Sequence, residues 1–539
     1  MKKLLTFITL SLLTWSCARV SSPTGGPIDE TPPILLSSVP ENQQTNFQSN
    51  IITLVFNEWV TTKNIETDLI ITPKIQSGFK TRVKKDQIQL TFNEPFKDST
   101  TYTLSFASTI TDITNNNPIV GLTLSFATGS VLDSLNITGN ITNLYEQEPA
   151  QEFLVSLYTE KDSLNILDGA ASYYTKTDTL GDYKFQNLPL GKYRIYAVND
   201  KNTNSKADTE NERYGFYKDT LNLSQSISDI DFTVQNLNVD KIRINNGRPY
   251  AHYYDIETNK TIKELEIVEN NSQNKSYNRI NSKKFRFYNQ TNTFNDTTQL
   301  IVNLIDSAGT TLTDTLNYYF IQSKLDREEF KLSIGPSTGL LKPSDSLVFT
   351  FTKPVNQVNT DSIYFEMDSI NKIGMDPTLI VWNKYQDEFR YPVSNEELFA
   401  VANTNTILTL LPTSFISIEG DTLSKQDKNL SPIKEEDIAS IEGQIFTQSE
   451  SILVQLLDGR TKNVLEESRQ KQYKFEYISP GRYLVRVIHD INGNGQWDTG
   501  NILQNLQPEP VYYYFDDFYK TRQIDVRKRW ETTDINISF

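Results

Sequence analysis

The residue types in this 539-residue chain that could do chemistry gather in two Asx-rich stretches. In the C-terminal one, Asp490, Asn492, Asn494 and Asp498 fall at positions 1, 3, 5 and 9 of a calcium-loop pattern, and Gly495 falls at position 6, where such a loop turns sharply. Oxygen ligands at alternate positions converge because the backbone between them curls around the ion, so the spacing predicts a structural Ca2+ site. Position 12 is Asn501 rather than the bidentate glutamate, which leaves Glu509 or a water to complete the shell. An earlier stretch keeps Asp200, Asn202, Asn204 and Asp208, but Ser205 replaces the glycine and Glu212 is a later carboxylate beyond position 12, so its affinity should be lower. The competing expectation is a solvated hairpin without an ion, since Asn and Asp favour such turns by themselves.

The rest of the inventory is poor in catalytic groups. Two histidines, His252 and His489, and one cysteine, Cys17, cannot supply a Cys/His zinc cage. His252 has no acid or nucleophile partner in sequence, His489 sits beside the second Asx stretch, and there is no glycine-rich phosphate loop or nucleophile elbow. The chain carries 52 basic and 67 acidic side chains, a net charge of −15, so neither nucleic acid nor an anionic lipid headgroup is an expected default partner. Composition points away from an enzyme. One aromatic cluster, Tyr512 to Phe515 with Phe518 and Tyr519, is expected to divide between core packing and an exposed patch for a partner or a sugar.

The elements that would position these groups begin after an export signal. Lys2 and Lys3 precede an apolar run from Leu4 to Leu13, long enough for a signal-peptide core and too short to span a bilayer. Small or polar residues then lead to Cys17, and residues 1–16 resemble a bacterial lipoprotein signal, with Trp15 departing from its usual small residue. The resemblance implies an acylated Cys17 as the membrane anchor. Two or more chains, at roughly 0.8 kcal/mol per buried CH2, would hold the protein without a spanning helix. Residues 17–33, rich in Ser, Thr, Gly and Pro, read as a tether.

From 34 to 129, short runs such as Ile52-Thr53-Leu54-Val55-Phe56 and Ile88-Gln89-Leu90-Thr91-Phe92 alternate apolar and polar residues, as strands of a β-sandwich do. The segments PTGGPIDETPPILLSSVPENQQTNF, ITLVFNEWV and TYTLSFASTITDITNNNP resemble the SbsA-type bacterial Ig-like domain of Bacteroidota envelope proteins, which implies a non-catalytic spacer or interaction module. Further on, YKFQNLPLGKYRIYAVNDKNTNSKAD, starting at Tyr183, aligns without a gap on YKFEYISPGRYLVRVIHDINGNGQWD, starting 290 residues later at Tyr473. Each copy resembles the transthyretin-like sandwich of carboxypeptidase regulatory-like and collagen-adhesin B-type domains, at 134–237 and 441–539. Residues 326–436 echo the first Ig-like segment, and 238–325 are expected to form a further sandwich. The predicted fold is all-β, with tandem β-sandwich domains (Ig-like and transthyretin-like) in an elongated array.

A triplet of Asp, then Ser or Thr, then a small or aliphatic residue recurs twelve times, with hydroxyls at Ser99, Ser134, Ser163, Thr179, Thr220, Thr297, Ser307, Thr315, Ser346, Ser362, Ser369 and Thr422. About two would be expected by composition. It resembles the O-glycosylation acceptor of exported Bacteroidota proteins. The same triplets would also start strands, because a turn-forming Asp is followed by β-favouring residues. The expected function is a non-catalytic outer-membrane lipoprotein serving as scaffold or interaction protein, with an envelope protein partner. A sharper version makes it an accessory subunit of an outer-membrane barrel for uptake or barrel assembly; the competing expectation is an adhesin or carbohydrate-binding surface protein. Ala18 to Ser22 carry no acidic cluster, which leans towards the periplasmic face, while Asp29 and Glu30 leave the cell-surface face open.

Overall fold

The computed structural model describes residues 29–162, 165–208, 211–236, 241–269, 277–290, 294–306, 309–322, 327–342, 345–367, 370–392, 406–434 and 437–539. Cys17, Ser163, Ser307 and Ser369 lie outside them. The expectation of an all-β chain of tandem sandwiches holds: helix among the described residues is confined to single turns such as Ile65–Asp68. No helix among them is long and apolar enough to cross a membrane. The chain divides into two compact units, the first ending at Ile141 and adding Gln151–Tyr196 and Asp219–Asp231, the second comprising Thr142–Ala150, Ala197–Lys218 and Phe232–Phe539.

In the first unit, the strands Leu35–Val39, Ile51–Phe56, Gln87–Phe92 and Phe79–Lys84 lie in that order in one sheet. A second sheet pairs Thr101–Ser105 with Ile70–Thr72 on one side and Thr123–Ala127 on the other. Period-two alternation decides the faces. Ile52, Leu54, Phe56, Ile88, Leu90 and Phe92 are buried against Leu104 and Phe126, and each fully buried side chain of this size contributes about 1.5–3 kcal/mol. Their alternates point outward, and register aligns Lys80 with Thr91 and Ile51, Arg82 with Gln89 and Thr53, and Lys84 with Gln87 and Val55. This solvent face carries cations along one edge.

The same unit holds part of the first repeat copy, where Leu135–Asn143 pairs with Asp182–Leu188 and Leu154–Thr159 with Tyr173–Lys176. The recurring tyrosines and glycines have one structural reason. The Tyr183 hydroxyl donates to the Ile230 carbonyl at 2.7 Å across Gly139, where an added Cβ would lie 2.1 Å from that carbonyl oxygen. In the second copy, Tyr473 donates to the Ile535 carbonyl at 2.5 Å across Gly443, with an equivalent approach of 2.0 Å. A hydroxyl buried beside the core needs an acceptor, and the backbone reaches it only where no Cβ intervenes.

The second unit contains further cores. One, around Ile256, Phe285, Val302 and Leu304, lies between a sheet containing Tyr253–Thr258 and Lys284–Tyr288 and one containing Ile262–Glu269, Thr298–Asp306 and Thr311–Tyr318. Another, around Leu347, Phe349, Phe389 and Leu408, is built as in the first Ig-like segment: Leu332–Gly335, Ser346–Phe351, Glu388–Pro392 and Val381–Trp382 follow the same strand order. The short pair Val355–Val358 with Phe415–Ser417 corresponds to Val60–Thr62 with Ile110–Asp112. Another, around Ile441, Val454, Phe475 and Val485, belongs to the second repeat copy.

Candidate functional site: paired Asx loops at a module joint

The strand Gly481–His489 delivers Asp490 to the start of the second Asx loop, where its carboxylate is 3% exposed. Asp490 Oδ1 accepts from the Asn494 N–H at 3.1 Å and Oδ2 from the Gly495 N–H at 2.8 Å, so one side chain folds the loop around itself. Asn492 Oδ1 and Asn494 Oδ1 accept from the N–H groups of Asn494 and Gln496, and both amides donate to Asp498 Oδ2. Asn501, at the position expected for the bidentate ligand, instead caps a small turn by accepting from the Gln504 N–H. The buried Glu509 takes the closing role: Oε1 accepts from the Ile491 N–H at 2.8 Å and Oε2 from the Asp498 N–H at 3.0 Å.

The first loop repeats this bond for bond. Asp200 accepts from the N–H groups of Asn204 and Ser205, while Asn202 and Asn204 donate to Asp208 at 3.0 and 2.6 Å. Glu212, buried like Glu509, accepts from the Lys201 N–H at 3.2 Å and the Asp208 N–H at 3.1 Å. Gly495 has φ of 72° and Ser205 has φ of 60°, so the serine holds a left-handed conformation that its Cβ disfavours. Ser205→Gly is therefore expected to raise stability by about 0.5–1 kcal/mol, read as a higher urea midpoint.

Both loops present oxygen donors alone, the ligand set of a hard divalent cation and not of zinc. Binding would require the Asn amides to turn their oxygens inward, away from the Asp partner they now serve. Among the described residues no three His, Cys, Asp or Glu side chains already converge in metal-holding geometry.

The copies do not merely repeat. Between Asp498 and Glu509 the second loop is seven residues longer than the first between Asp208 and Glu212. The insertion reaches the first copy within the second unit. Gln235 Nε2 donates to the Thr499 carbonyl at 2.5 Å, Gln507 Nε2 to the Phe216 carbonyl at 2.6 Å, and Asn505 Nδ2 to the Lys218 carbonyl at 2.8 Å. Beside them Leu144 is buried with Leu453, Ile488 and Val511, and the Tyr145 ring meets Trp497 at 5.1 Å. Residues some 300 positions apart share a small core here. The sequence signal was the break in the gapless repeat directly after Asp498.

The remaining predicted residues scatter. Ser99, Ser134, Thr179, Thr220, Thr297, Thr315 and Thr422 are exposed and Ser346 is half-buried. Ser362 is buried, with its hydroxyl 3.0 Å from Thr413 Oγ1 and from Asn359 Nδ2, so a glycan there would have to break packing. Strand initiation also operates, since Leu221, Leu347, Ile363 and Leu423 from the third positions are buried. Tyr512 stacks on Phe539 at 4.3 Å, and Tyr512 and Tyr514 pack on the core. Phe515, Phe518 and Tyr519 are exposed on a turn whose N–H groups at 518 and 519 donate to Asp516 Oδ1. His489 packs against Phe539. Sequence reasoning missed Lys353, which is buried between Glu419 and Asp421 where the first Ig-like segment has Glu58. The contrast of FTKP with FNEW was the available signal.

No curated protein matches the chain. Among solved structures it is similar to the Bacillus anthracis TIE protein, at 9% identity over 99% of this chain and 78% of that one, with a TM-score of 0.13. It is also similar to BcpA, the major pilin subunit of Bacillus cereus, at 11% identity over 76% and 99% with a TM-score of 0.13. The pilus adhesin RrgA from Streptococcus pneumoniae follows at 13% identity over 36% and 33%, again with a TM-score of 0.13. Superpositions this loose carry no argument about function. Residues 29–128 match the family model described as a bacterial Ig-like domain, which agrees with the resemblance drawn from the same stretch of sequence.

Proposed function

We propose that this chain is a non-catalytic, lipid-anchored scaffold of the outer membrane, held by an acylated Cys17 and acting as an accessory subunit beside an envelope partner such as an outer-membrane barrel. The observation that carries this reading is the joint: an insertion in one repeat copy is used to fasten it to the other through a shared apolar core and backbone hydrogen bonds. Such a device fixes geometry and does no chemistry. Calcium in the two Asx loops would stiffen the segments that flank the joint, and glycans on the exposed acceptor triplets would keep the modules soluble. The mass of the mature chain tests the anchor and the glycans together: the reading expects acyl mass on a peptide beginning at Cys17 and sugar mass on exposed triplets. A free thiol overturns the anchor. Crosslinking followed by affinity purification is expected to recover a barrel protein.

A second reading, an adhesin or carbohydrate-binding surface protein, is favoured by the exposed Phe518 and Tyr519, whose rings meet edge-on at 4.8 Å on a turn tip. Glycan-array binding that is lost in Phe518→Ala, without a co-purifying protein, would select it.

A further inference from the structure

The first Ig-like segment carries a surface that neither the anchor nor the joint uses. Lys80, Arg82 and Lys84 alternate along the edge strand Phe79–Lys84, so their side chains share one face at about 7 Å spacing. All three are exposed, and none has an ion-pair partner among the described residues. Register puts Thr91, Gln89 and Gln87 next to them and Ile51, Thr53 and Val55 beyond, so these three rows hold no carboxylate. In a chain of net charge −15, an unneutralised cationic stripe is unexpected.

The stripe leads to an apolar corner. Lys85 follows Lys84 and lies 5.7 Å over the Trp59 ring, which is 58% exposed. Ile34 and Leu36 are exposed on the strand entering this end, where the Asn57 N–H donates to the Ile34 carbonyl, and exposed Ile113 donates its N–H to the Trp59 carbonyl. The tether arrives here too: Asn115 and Asn117 donate to the Asp29 carbonyl at 2.9 and 2.8 Å. Asp29 is only twelve positions beyond Cys17, a reach of at most about 40 Å when fully extended. Acids lie nearby as well. Asp86, next to Lys85, and Glu30, next to Asp29, are exposed; Asp112 is buried with its oxygens on the N–H groups of Asn115, Asn116 and Asn117; Asp29 is tied to Thr31; and burial, with the like charges of Asp112 and Asp29, pushes the Glu58 carboxyl up.

We propose that this face is a second membrane contact, in which Lys80, Arg82, Lys84 and Lys85 meet the anionic phosphate headgroups of the bilayer and Trp59 enters its interfacial layer. Trp sits well at that depth, and each cation near an anionic surface adds to the attraction. The anchor then supplies the attachment and the surface fixes the orientation of the first module. The placement rests on the anchor reading of Cys17, but the surface is testable without it.

The test uses the mature chain carrying Cys17→Ser, so that no acyl group contributes, and vesicles of phosphatidylcholine with or without about one-third phosphatidylglycerol. Sedimentation with the anionic vesicles is expected at low salt, falling as salt rises, and weakened about tenfold in the K80E/R82E/K84E triple variant. Trp59→Phe is expected to remove the fluorescence blue shift that accompanies binding. Three reversals in the C-terminal module, at Lys471, Lys520 and Lys528, should leave binding unchanged. The proposal is overturned if the chain ignores anionic vesicles at low salt, if both triple variants behave alike, or if glycerophosphate at matched ionic strength displaces it. Failure of the anchor reading would appear separately, as an unmodified Cys17 in the native protein.

Discussion

Lys353→Ala is expected to destabilise the 327–434 module by about 3–5 kcal/mol. The Lys353 side chain is 1% exposed, with Nζ 2.5 Å from Glu419 Oε2 and 2.6 Å from Asp421 Oδ2. Deleting the ammonium leaves two carboxylates facing each other, one of them buried with Oε1 already lacking a hydrogen-bond partner. Burial alone would raise the Asp421 pKa, but the hydrogen bond and charge of Lys353, helped by Ser417, hold it below the ordinary carboxylate value. A depressed folded-state pKa contributes stability that is complete above the unfolded value, near 4, and is lost as pH falls through the folded value. The deficit of the alanine variant should therefore be largest near neutral pH and shrink below about pH 4. Urea titrations at neutral and acid pH measure both, and the K353M/E419Q/D421N variant should recover most of the loss because no unpaired charge remains. A loss under about 1 kcal/mol for Lys353→Ala at neutral pH would contradict the account.

Glu509→Ala should cost about 2–3 kcal/mol, since it removes two charge-assisted hydrogen bonds and leaves the N–H groups of Ile491 and Asp498 without them in a partly buried site. Glu509→Gln should cost less, because its remaining carbonyl oxygen can still accept one of them. Glu212→Ala should produce a similar loss in the first copy, where the same two contacts recur. The variants also test the proposed cation: calcium is expected to raise the unfolding midpoint of the unmodified chain, and Glu509→Ala should remove the part owed to the second loop. Calorimetry with calcium or a chelator separates these outcomes, and an unmodified chain indifferent to both would remove calcium from the proposal.

Much of this architecture was legible in local pattern. Alternation in Ile52-Thr53-Leu54-Val55-Phe56 fixes which side chains enter the core, because period two is the geometry of a strand. The tyrosine and glycine positions of the repeat were legible as recurrence, though their reason, a hydroxyl reaching a carbonyl across a missing Cβ, required coordinates. Glu509 could be named only as a nearby carboxylate, since its closing role depends on where an eleven-residue excursion returns. The burial of Ser362 was not legible in its triplet, because exposure is set by the neighbouring chain.

What the sequence by itself determined is the class of element, the strand faces, the duplicated module and the order of the Asx side chains, all of which follow from spacing along one stretch of backbone. The tertiary structure decided which copy fastens to which, that Lys353 is enclosed by two acids, and that cations, Trp59 and the tether meet at one corner of the first module. The physical reason is the same in each case. Burial and charge pairing are properties of the space between segments distant in the chain, and local periodicity carries no information about which distant segment arrives there.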